Sequence, residues 1–511
     1  MSTNNASPLI KSTVMLGIAI ILSRITGFAR EIVLASFYGA GTISDAFVLA
    51  FTIPDTLLVF ISGAVAASFI PMYHRVHEKA KYTRNIMSCM IIIGLLFSLI
   101  FTIFPNVLVR LFAFSLYPET FDIAVFFVRY MVWTAVFTLL IDVFSAHLEI
   151  NGSFFASGTR MIWRNASVIV GLVLGAHFGN NLFVALGPVF GVALSMFILS
   201  LVGRQHSFFY RPYIDISSPD LKRTLLLIGP IFLATAFSQI NSIIIRNFAA
   251  SLPVGTISYL NYSYRVIGLF AALLGGVLIT VLFPHISKLA ANNNIEKVKS
   301  SFTLSTLYIT AVMLPIGAGL FMLSEPAIRI MFERGHFTAE DTVRTASLLR
   351  IFSFTLLPGA VSMLITRVFY ALQNTRTPAY LSLVSLFVSI GLSFLLIEPL
   401  GAEGLALATL ISGFVMVLLL LVFLRKKSGT LGLRRNITEF IKIAAATAVM
   451  SVGVWHVAEL LSIADVSLLL SVAYCFVIVL AAAIVYVSLL FIMNTKIAYD
   501  GAKKIRGLLS R

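Results

Sequence analysis

The chain has little charge, few acidic residues and almost no cysteine, and each shortage excludes a class of protein. Only 11% of its 511 residues are charged, whereas 59% are hydrophobic and the mean hydropathy is +0.98. A soluble protein of this length could not remove so much apolar surface from water, so we expect a membrane protein. The two cysteines, Cys89 and Cys475, have no CxxC spacing. They predict neither a disulfide framework nor a metal site.

Motifs of catalytic domains are missing as well. The phosphate-binding pattern GxxxxGK[ST], the zinc-binding pattern HExxH and the nucleophile elbow GxSxG do not occur. The longest polar connections lie near 204–223 and 324–345, too short for a separate catalytic domain. We therefore expect a protein that is not an enzyme, with no cofactor and no bound metal, and that ATP does not drive directly.

Long apolar runs recur along the whole sequence. A helix needs about 20 apolar residues to cross a bilayer. Runs of this kind are centred near residues 22, 58, 97, 135, 170, 192, 235, 270, 312, 355, 387, 413, 449 and 479. The strands of an outer-membrane barrel would instead alternate in polarity over about 10 residues. The sequence predicts an all-α polytopic membrane protein with 14 transmembrane helices.

The excess of basic residues, which gives a net charge of +16, is unevenly distributed. Roughly 26 Lys and Arg fall in connections on one predicted side of the membrane and about 4 on the other, the asymmetry typical of cytoplasmic loops. Both termini are therefore predicted to be cytoplasmic. A basic surface that binds nucleic acid is the alternative, but this placement argues against it. The first apolar segment has no small-residue cleavage site, so a removable signal peptide is not expected.

Short motifs recur at an offset of about 214–217 residues. Residues 41–44 (Gly-Thr-Ile-Ser) return at 255–258, and 137–140 (Phe-Thr-Leu-Leu) return at 354–357. Copies with an even number of spans have the same orientation, as in parallel repeats. The predicted layout is two six-helix repeats around a central cleft, followed by two further helices and a basic cytoplasmic tail. The predicted limits are 1–215, 216–430 and 431–511.

Arginines inside the apolar segments are the main sign of function. A charge at bilayer depth costs roughly 2.5–3.5 kcal/mol on insertion scales and usually faces a bundle interior or a wet cavity. Arg24 and Arg30 lie in the first segment, and Arg246 and Arg265 lie in the seventh and eighth. A planar guanidinium that is always charged suits a diphosphate, because it forms bidentate hydrogen bonds. We predict that these four arginines bind the diphosphate of a substrate.

Acidic residues offer these arginines structural partners. Arg30 has Glu31 and Asp45 as candidate partners. Asp45 opens the second segment, where it either caps a helix or forms a gating ion pair. Asp142, in the fourth segment, either binds a cation or pairs with Arg164. We therefore assign Glu31, Asp45 and Asp142 to gating or charge pairing.

The most distinctive polar string runs from 332 to 341. Gly335 predicts a turn, and Thr338 with Asp341 predicts a capping box that begins the next helix. The expected role of this loop is structural capping.

Several motifs taken together identify a family resemblance that spans nearly the whole chain. They are Ser23-Arg24…Gly27-Phe28…Arg30-Glu31, Gly39-Ala-Gly41…Asp45-Ala-Phe47, Gln239-Ile-Asn241…Arg246, Tyr264-Arg265, Phe332-Glu-Arg-Gly335 and Phe369-Tyr-Ala-Leu-Gln373. This set resembles the MurJ/MviN family of lipid II flippases, within the multidrug/oligosaccharidyl-lipid/polysaccharide exporter superfamily. The resemblance implies a V-shaped transporter of 14 helices in the bacterial cytoplasmic (inner) membrane, active in peptidoglycan biosynthesis. It also implies a cationic cavity containing Arg24, Arg30 and Arg265, and a lipid-tail groove formed by the last two spans.

The chain departs from the family pattern after Pro54. The family usually has Asn, one or two basic residues and then Glu-Gly-Ala, whereas this chain has Asp55, no basic residue, and Ser62 in place of the Glu. Ile245 also replaces an acid before the Arg246 position. Two cargoes therefore stay open: lipid II, or another lipid-linked saccharide such as an O-antigen, capsule or exopolysaccharide unit.

More distant functions fit the residues less well. A cation-coupled drug antiporter would need acids in its cavity, and a membrane glycosyltransferase would need catalytic acids on sizeable loops. The expected partners are the lipid-linked glycan, membrane lipids and the peptidoglycan or glycan synthesis machinery. The expected state is a monomer.

Overall fold

The computed structural model describes residues 6–205, 210–292, 294–461 and 467–499. Within these ranges every regular element is a helix and no strand occurs. The helices are α1 (Ala6–Tyr38), α2 (Thr42–Tyr73), α3 (Lys79–Ile103), α4 (Pro105–Phe112), α5 (Pro118–Met131), α6 (Thr134–Ile150), α7 (Phe154–Phe178), α8 (Asn181–Gln205), α9 (Pro219–Ala250), α10 (Thr256–Phe270), α11 (Val277–Ala291), α12 (Ile295–Met322), α13 (Ser324–Phe332), α14 (Ala339–Ser353), α15 (Leu356–Ala371), α16 (Arg376–Ser428), α17 (Ile437–Leu460) and α18 (Leu468–Ile492). The prediction of an all-α fold is confirmed.

Many of these helices are suited to a bilayer. Nine helical segments of the described chain are long and apolar enough to cross a membrane, and a tenth is the pair α5–α6, bent by 45°. The chain is therefore a multi-pass membrane protein. Each predicted centre lies within a helix or at the joint between two.

Two breaks in helices have clear backbone causes. Helix α16 is interrupted at Gly401, whose φ of +55° and ψ of −128° are not helical. A residue without a Cβ adopts that conformation at little cost. Between α10 and α11, Ala271–Gly276 form a π-helical turn that contains two glycines. Such turns widen the helix locally and bend it.

Packing groups the chain into two compact units. The first comprises residues 1–258 with 334–337, and the second comprises 259–333 with 338–511. This grouping follows contacts in space, whereas the limits predicted at 215 and 430 describe a duplication of sequence. Those repeat limits stay a prediction.

In the first unit, α7 packs along both α1 and α8. A Cβ added at Gly171 would lie 2.7 Å from the carbonyl oxygen of Phe183, so only glycine allows α7 and α8 to approach this closely. A second contact surface joins α2, α3, α6 and α8 through buried side chains that include Phe69, Met87 and Phe144.

In the second unit, α12 packs on α17, and α17 packs on α18. Their shared core contains Leu307, Ile443, Met450 and Ile478. The hydroxyl of Tyr486 on α18 donates a 2.8 Å hydrogen bond to the carbonyl oxygen of Ala311 on α12. Because this hydroxyl is buried, the bond removes the penalty of an unpaired polar group.

The loop before α14 has the predicted form. Gly335 has a φ of +62°, which favours glycine. The hydroxyl of Thr338 accepts from the backbone N–H of Asp341 at 3.2 Å, and the Asp341 carboxylate accepts from the backbone N–H of Thr338 at 2.9 Å. The capping box is confirmed.

Candidate functional site

Arg30 lies in a buried polar cluster of the first unit. Its side chain is only 6% exposed and forms an ion pair with Glu31, the first of the two partners proposed from the sequence. It also donates a 3.2 Å hydrogen bond to the amide oxygen of Asn165 on α7. Its guanidinium carbon stacks 4.4 Å from the ring centroid of Phe51 on α2. Arg30 therefore links α1, α2 and α7.

Asn165 is a residue of this cluster that the sequence analysis missed. Its amide nitrogen donates to the carbonyl oxygen of Ser23 at 3.4 Å and to the hydroxyl of Thr26 at 3.3 Å. A Cβ at Gly27 would lie 3.3 Å from that nitrogen, so the glycine gives Asn165 room to reach α1. The available signal was a polar amide inside an apolar segment, next to Arg164.

Arg24 is placed differently from Arg30. The six-residue separation turns the two side chains about 120° apart around α1. Arg24 is exposed, whereas Arg30 is buried against α7. Arg24 can therefore meet a ligand without first leaving a buried ion pair.

The two later arginines lie on consecutive helices. Arg246, near the end of α9, is half-buried and belongs to the first unit. Arg265, on α10, is exposed and belongs to the second unit. Both residues are therefore at least partly exposed, although the Nη1 nitrogen of Arg246 is buried.

Asp45 caps a helix, but the helix is α10 rather than its own. Its carboxylate accepts hydrogen bonds from the backbone N–H groups of Gly255 at 2.7 Å and Ser258 at 2.8 Å. The hydroxyl of Ser258 donates a third bond of 2.5 Å. At the start of α2 itself, the hydroxyl of Ser44 accepts from the backbone N–H of Gly41 at 2.9 Å. Asp45 thus joins the α1–α2 and α9–α10 turns.

A second contact holds the α1–α2 turn of the first unit against residues 334–337. The backbone N–H of His336 donates a 2.8 Å hydrogen bond to the carbonyl oxygen of Ser36. A Cβ at Gly335 would lie 2.2 Å from that same oxygen, and one at Gly39 would lie 2.5 Å from the carbonyl oxygen of His336. Both glycines also have a positive φ. Two backbone segments meet here with no space for a side chain.

The partner of Asp142 differs from the one expected. Asp142 on α6 pairs at 2.6 Å with Arg160 on α7, whereas Arg164, one turn later, pairs at 2.8 Å with Asp55 on α2. Asp142 therefore forms an ion pair with Arg160, a partner that the sequence did not predict, and the alternative of a bound cation stays a prediction. A cavity of about 30 Å³ lies beside Asp142, Arg160 and Arg164; its other lining residues are Thr138, Ile141, Met161, Val192 and Ser195.

The second unit contains a much larger cavity of about 570 Å³. Helices α12, α13, α17 and α18 supply most of its wall, and the side chains are almost all apolar. They include Phe270, Pro315, Leu320, Met331, Met450, Val454, Cys475, Phe476, Val479 and Tyr486. A cavity with this lining suits a hydrocarbon chain. Among the described residues no three His, Cys, Asp or Glu side chains lie close enough together to hold a metal ion.

Comparison with known proteins identifies the family. The family model described as "Lipid II flippase MurJ" matches residues 34–495. The curated protein "Probable lipid II flippase MurJ" of Bdellovibrio bacteriovorus is 26% identical over 500 residues, which cover 95% of each chain. Its namesake in Thermotoga maritima is 28% identical and covers 80% of this chain and 85% of its own length.

Solved structures agree with the sequence comparison. The structure titled "Lipid II flippase MurJ, inward closed conformation" has a TM-score of 0.76 and 26% identity, and it covers 94% of this chain and 100% of its own. An inward-facing MATE family transporter of the MOP superfamily has a TM-score of 0.67 at 16% identity, which shows a shared fold. A flippase family consists of transporters, so the chain is not an enzyme. The match over residues 34–495 shows that this chain belongs to the MurJ lipid II flippase family.

Proposed function

We propose that this chain flips lipid II from the inner to the outer leaflet of the bacterial cytoplasmic membrane by alternating access. The observation that carries the proposal is the family match, which covers residues 34–495. Relatives named as lipid II flippases also align over nearly their whole length. The alternative cargo, another lipid-linked saccharide, is not favoured by any of these names.

We propose fourteen membrane crossings. Ten are the apolar segments described above, with the bent pair α5–α6 taken as one. The break at Gly401 divides α16, already counted once, into two arms that each cross the membrane, which adds one crossing. Helices α1 and α9, and the run from α10 through α11, supply the remaining three.

The order of the helices supports the proposed duplication. A long helix, the short helix α4 and the joined pair α5–α6 follow one another in the first half. The long helix α12, the short helix α13 and the joined pair α14–α15 follow in the same order in the second half. The two arms of α16 then match α7 and α8. We infer two parallel repeats whose relative motion gives access to each side in turn.

In this scheme the diphosphate is held by arginines. Arg24, Arg246 and Arg265 are the proposed direct ligands, because their side chains are exposed or half-buried. Arg30 completes the set, and its bonds to Glu31 and Asn165 indicate that it also positions α1. Guanidinium groups grip phosphate oxygens in pairs, which an ammonium group cannot do.

The roles of the three acidic residues follow from their contacts. We propose that the Asp45 cap on α10 forms in one state of the transport cycle and breaks in the other. Glu31 keeps Arg30 in place, and Asp142 holds Arg160. Glu31 and Asp142 are therefore charge-pairing residues in this scheme.

The apolar cavity of the second unit is the proposed seat of part of the prenyl tail. Its volume of about 570 Å³ is in the range of small-molecule sites. Each buried methylene group contributes about 0.8 kcal/mol, so a few isoprene units would bind there appreciably. The polar sugar and peptide would stay in water while the tail stays in apolar surroundings.

We propose that both termini face the cytoplasm and that the chain acts as a monomer beside the peptidoglycan synthesis machinery. The positive-inside asymmetry of the sequence supports this orientation. An inside-negative potential then favours outward movement of the anionic cargo by about 2.3 kcal/mol per charge per 100 mV.

The proposal is tested by genetic replacement. A bacterial strain depleted of its own essential lipid II flippase should grow when it expresses this chain. The Arg24→Lys variant keeps the charge but loses the paired N–H donors of the guanidinium. It should therefore fail to support growth at equal expression. Absence of growth with the unaltered, membrane-inserted chain would favour a different lipid-linked saccharide.

A further inference from the structure

The ion pair between Arg164 and Asp55 is not accounted for by the proposed site. Arg164 on α7 is 91% buried at its side chain, whereas Asp55 on α2 keeps 30% of its side chain exposed. The two residues are 109 positions apart, so the pair joins two helices rather than one turn. The carboxylate lies at the accessible end of a buried cation.

The guanidinium of Arg164 leaves one of its N–H donors without a hydrogen-bond partner among the described residues. Its Nη2 nitrogen donates to one oxygen of Asp55 at 2.8 Å. Its Nε atom is buried and has no hydrogen-bond partner among the described residues. These two nitrogens form one edge of the guanidinium, the edge that binds planar or tetrahedral oxyanions with two parallel bonds. Asp55 fills half of that edge.

A second arginine lies close by. The guanidinium carbons of Arg30 and Arg164 lie 4.4 and 4.5 Å from the centroid of the same Phe51 ring, so they are no farther apart than about 9 Å. Each guanidinium can bind a phosphoryl group with two parallel hydrogen bonds, so two arginines match the two phosphoryl groups of a diphosphate. Arg164 is ten residues into α7, or about 15 Å from its start, which is near the middle of a bilayer of about 30 Å.

We propose that Arg164 is a further ligand of the substrate diphosphate. While no substrate is bound, the Asp55 carboxylate occupies the position of a phosphate group beside Arg164. This inference rests on the proposed function. On arrival, phosphate oxygens bind both Nε and Nη2 of Arg164, and the Asp55 carboxylate turns toward its exposed side. The exchange keeps the buried cation neutralised throughout, which a mid-membrane arginine requires.

Competition explains why a carboxylate is suited to this role. Asp55 offers one oxygen to the edge, whereas a diphosphate offers several oxygens and more negative charge. The substrate therefore displaces the carboxylate without leaving a charge uncompensated. The carboxylate returns when the substrate leaves, which lowers affinity and speeds release.

The test measures binding of farnesyl diphosphate, a short prenyl diphosphate, to the purified full-length chain. Asp55→Asn removes the competing charge at constant size, and it should tighten binding by roughly tenfold. Arg164→Lys keeps the charge but loses the edge, and it should weaken binding by about the same factor. Glu325→Gln, in the Glu325–Arg350 pair of the second unit, is the control and should change binding less than about twofold.

A double variant guards against misfolding. Asp55→Leu with Arg164→Met replaces the pair by apolar side chains of similar size, which proteins often tolerate. Its thermal unfolding midpoint should equal that of the unaltered chain, and its binding of farnesyl diphosphate should weaken by the same factor as in Arg164→Lys. The inference is overturned if Asp55→Asn leaves binding unchanged or weakens it, or if the folded double variant binds like the unaltered chain.

Failure of the proposed function would give a different pattern. In that case the unaltered chain would not bind farnesyl diphosphate above the level of farnesol, or Arg24→Gln would bind as well as the unaltered chain. If the unaltered chain binds and Arg24→Gln does not, the diphosphate site stands. Unchanged binding by the Asp55 and Arg164 variants would then refute only the part assigned to this pair.

Discussion

The Asp45 cap on α10 provides the sharpest prediction about gating. Asp45 is 3% exposed, and its carboxylate accepts three hydrogen bonds from Gly255 and Ser258. Asp45→Ala would leave the two backbone N–H groups without an acceptor wherever the contact forms. A buried donor without a partner costs about 1–3 kcal/mol, so the state that contains the contact should lose about 4 kcal/mol. Asp45→Asn keeps one oxygen and should lose about half of that.

The population of the contact state follows from these energies. A loss of about 4 kcal/mol lowers that population relative to the other state by nearly a thousandfold. The adjacent Ser36–His336 contact reports the same state, since the His336 N–H lies 2.8 Å from the Ser36 carbonyl oxygen. A disulfide between cysteines placed at these two positions, in a background without Cys89 and Cys475, therefore measures it. We expect high cross-linking yield in the parent and low yield with Asp45→Ala.

The same protein preparations supply the control. Ser44→Ala removes the acceptor for the Gly41 N–H, which is a local contact at the start of α2. It should leave the cross-linking yield unchanged. Equal yields for Asp45→Ala and the parent, with equal lipid flipping in vesicles, would refute the gating role of the cap.

Three further predictions concern the arginine cluster, the apolar cavity and the driving force. Glu31→Gln leaves the buried Arg30 charge without its carboxylate, so stability should fall by about 3–5 kcal/mol and thermal unfolding should begin at lower temperature. Cys475 lines the apolar cavity. In a Cys89→Ala background, its alkylation by a maleimide should therefore slow when undecaprenyl diphosphate is added. Equal rates with and without the lipid would show that the prenyl tail does not occupy this cavity. Collapse of an inside-negative potential should slow outward flipping, since each anionic charge loses about 2.3 kcal/mol per 100 mV, and a rate independent of potential would exclude this contribution.

The local features of this fold were predictable from the sequence. Apolar runs predicted the helices, because backbone polar groups in a bilayer must be paired within the segment. Thr338 and Asp341 predicted the capping box, since its two hydrogen bonds join residues three positions apart. Glu31 was named as a partner of Arg30 because it is the adjacent residue.

The contacts between helices were not predictable in the same way. Arg160 and Arg164 lie one turn apart on the same face of α7, so the rotation of α7 against α6 decides which of them meets Asp142. Asp45 finds its donors 210 and 213 positions away. A single sequence carries no signal for such distances, because the pattern of each helix shows only which face is polar.

Reconstituted flipping of lipid II tests the central claim most directly. Purified chain in vesicles that carry lipid II on the inner leaflet should expose the lipid to an enzyme outside, at a rate that depends on the amount of protein. Arg24→Lys, at equal insertion, should reduce this rate to that of vesicles without protein. Exposure that is no faster than in empty vesicles, or that is equally fast with the lysine variant, would contradict the account.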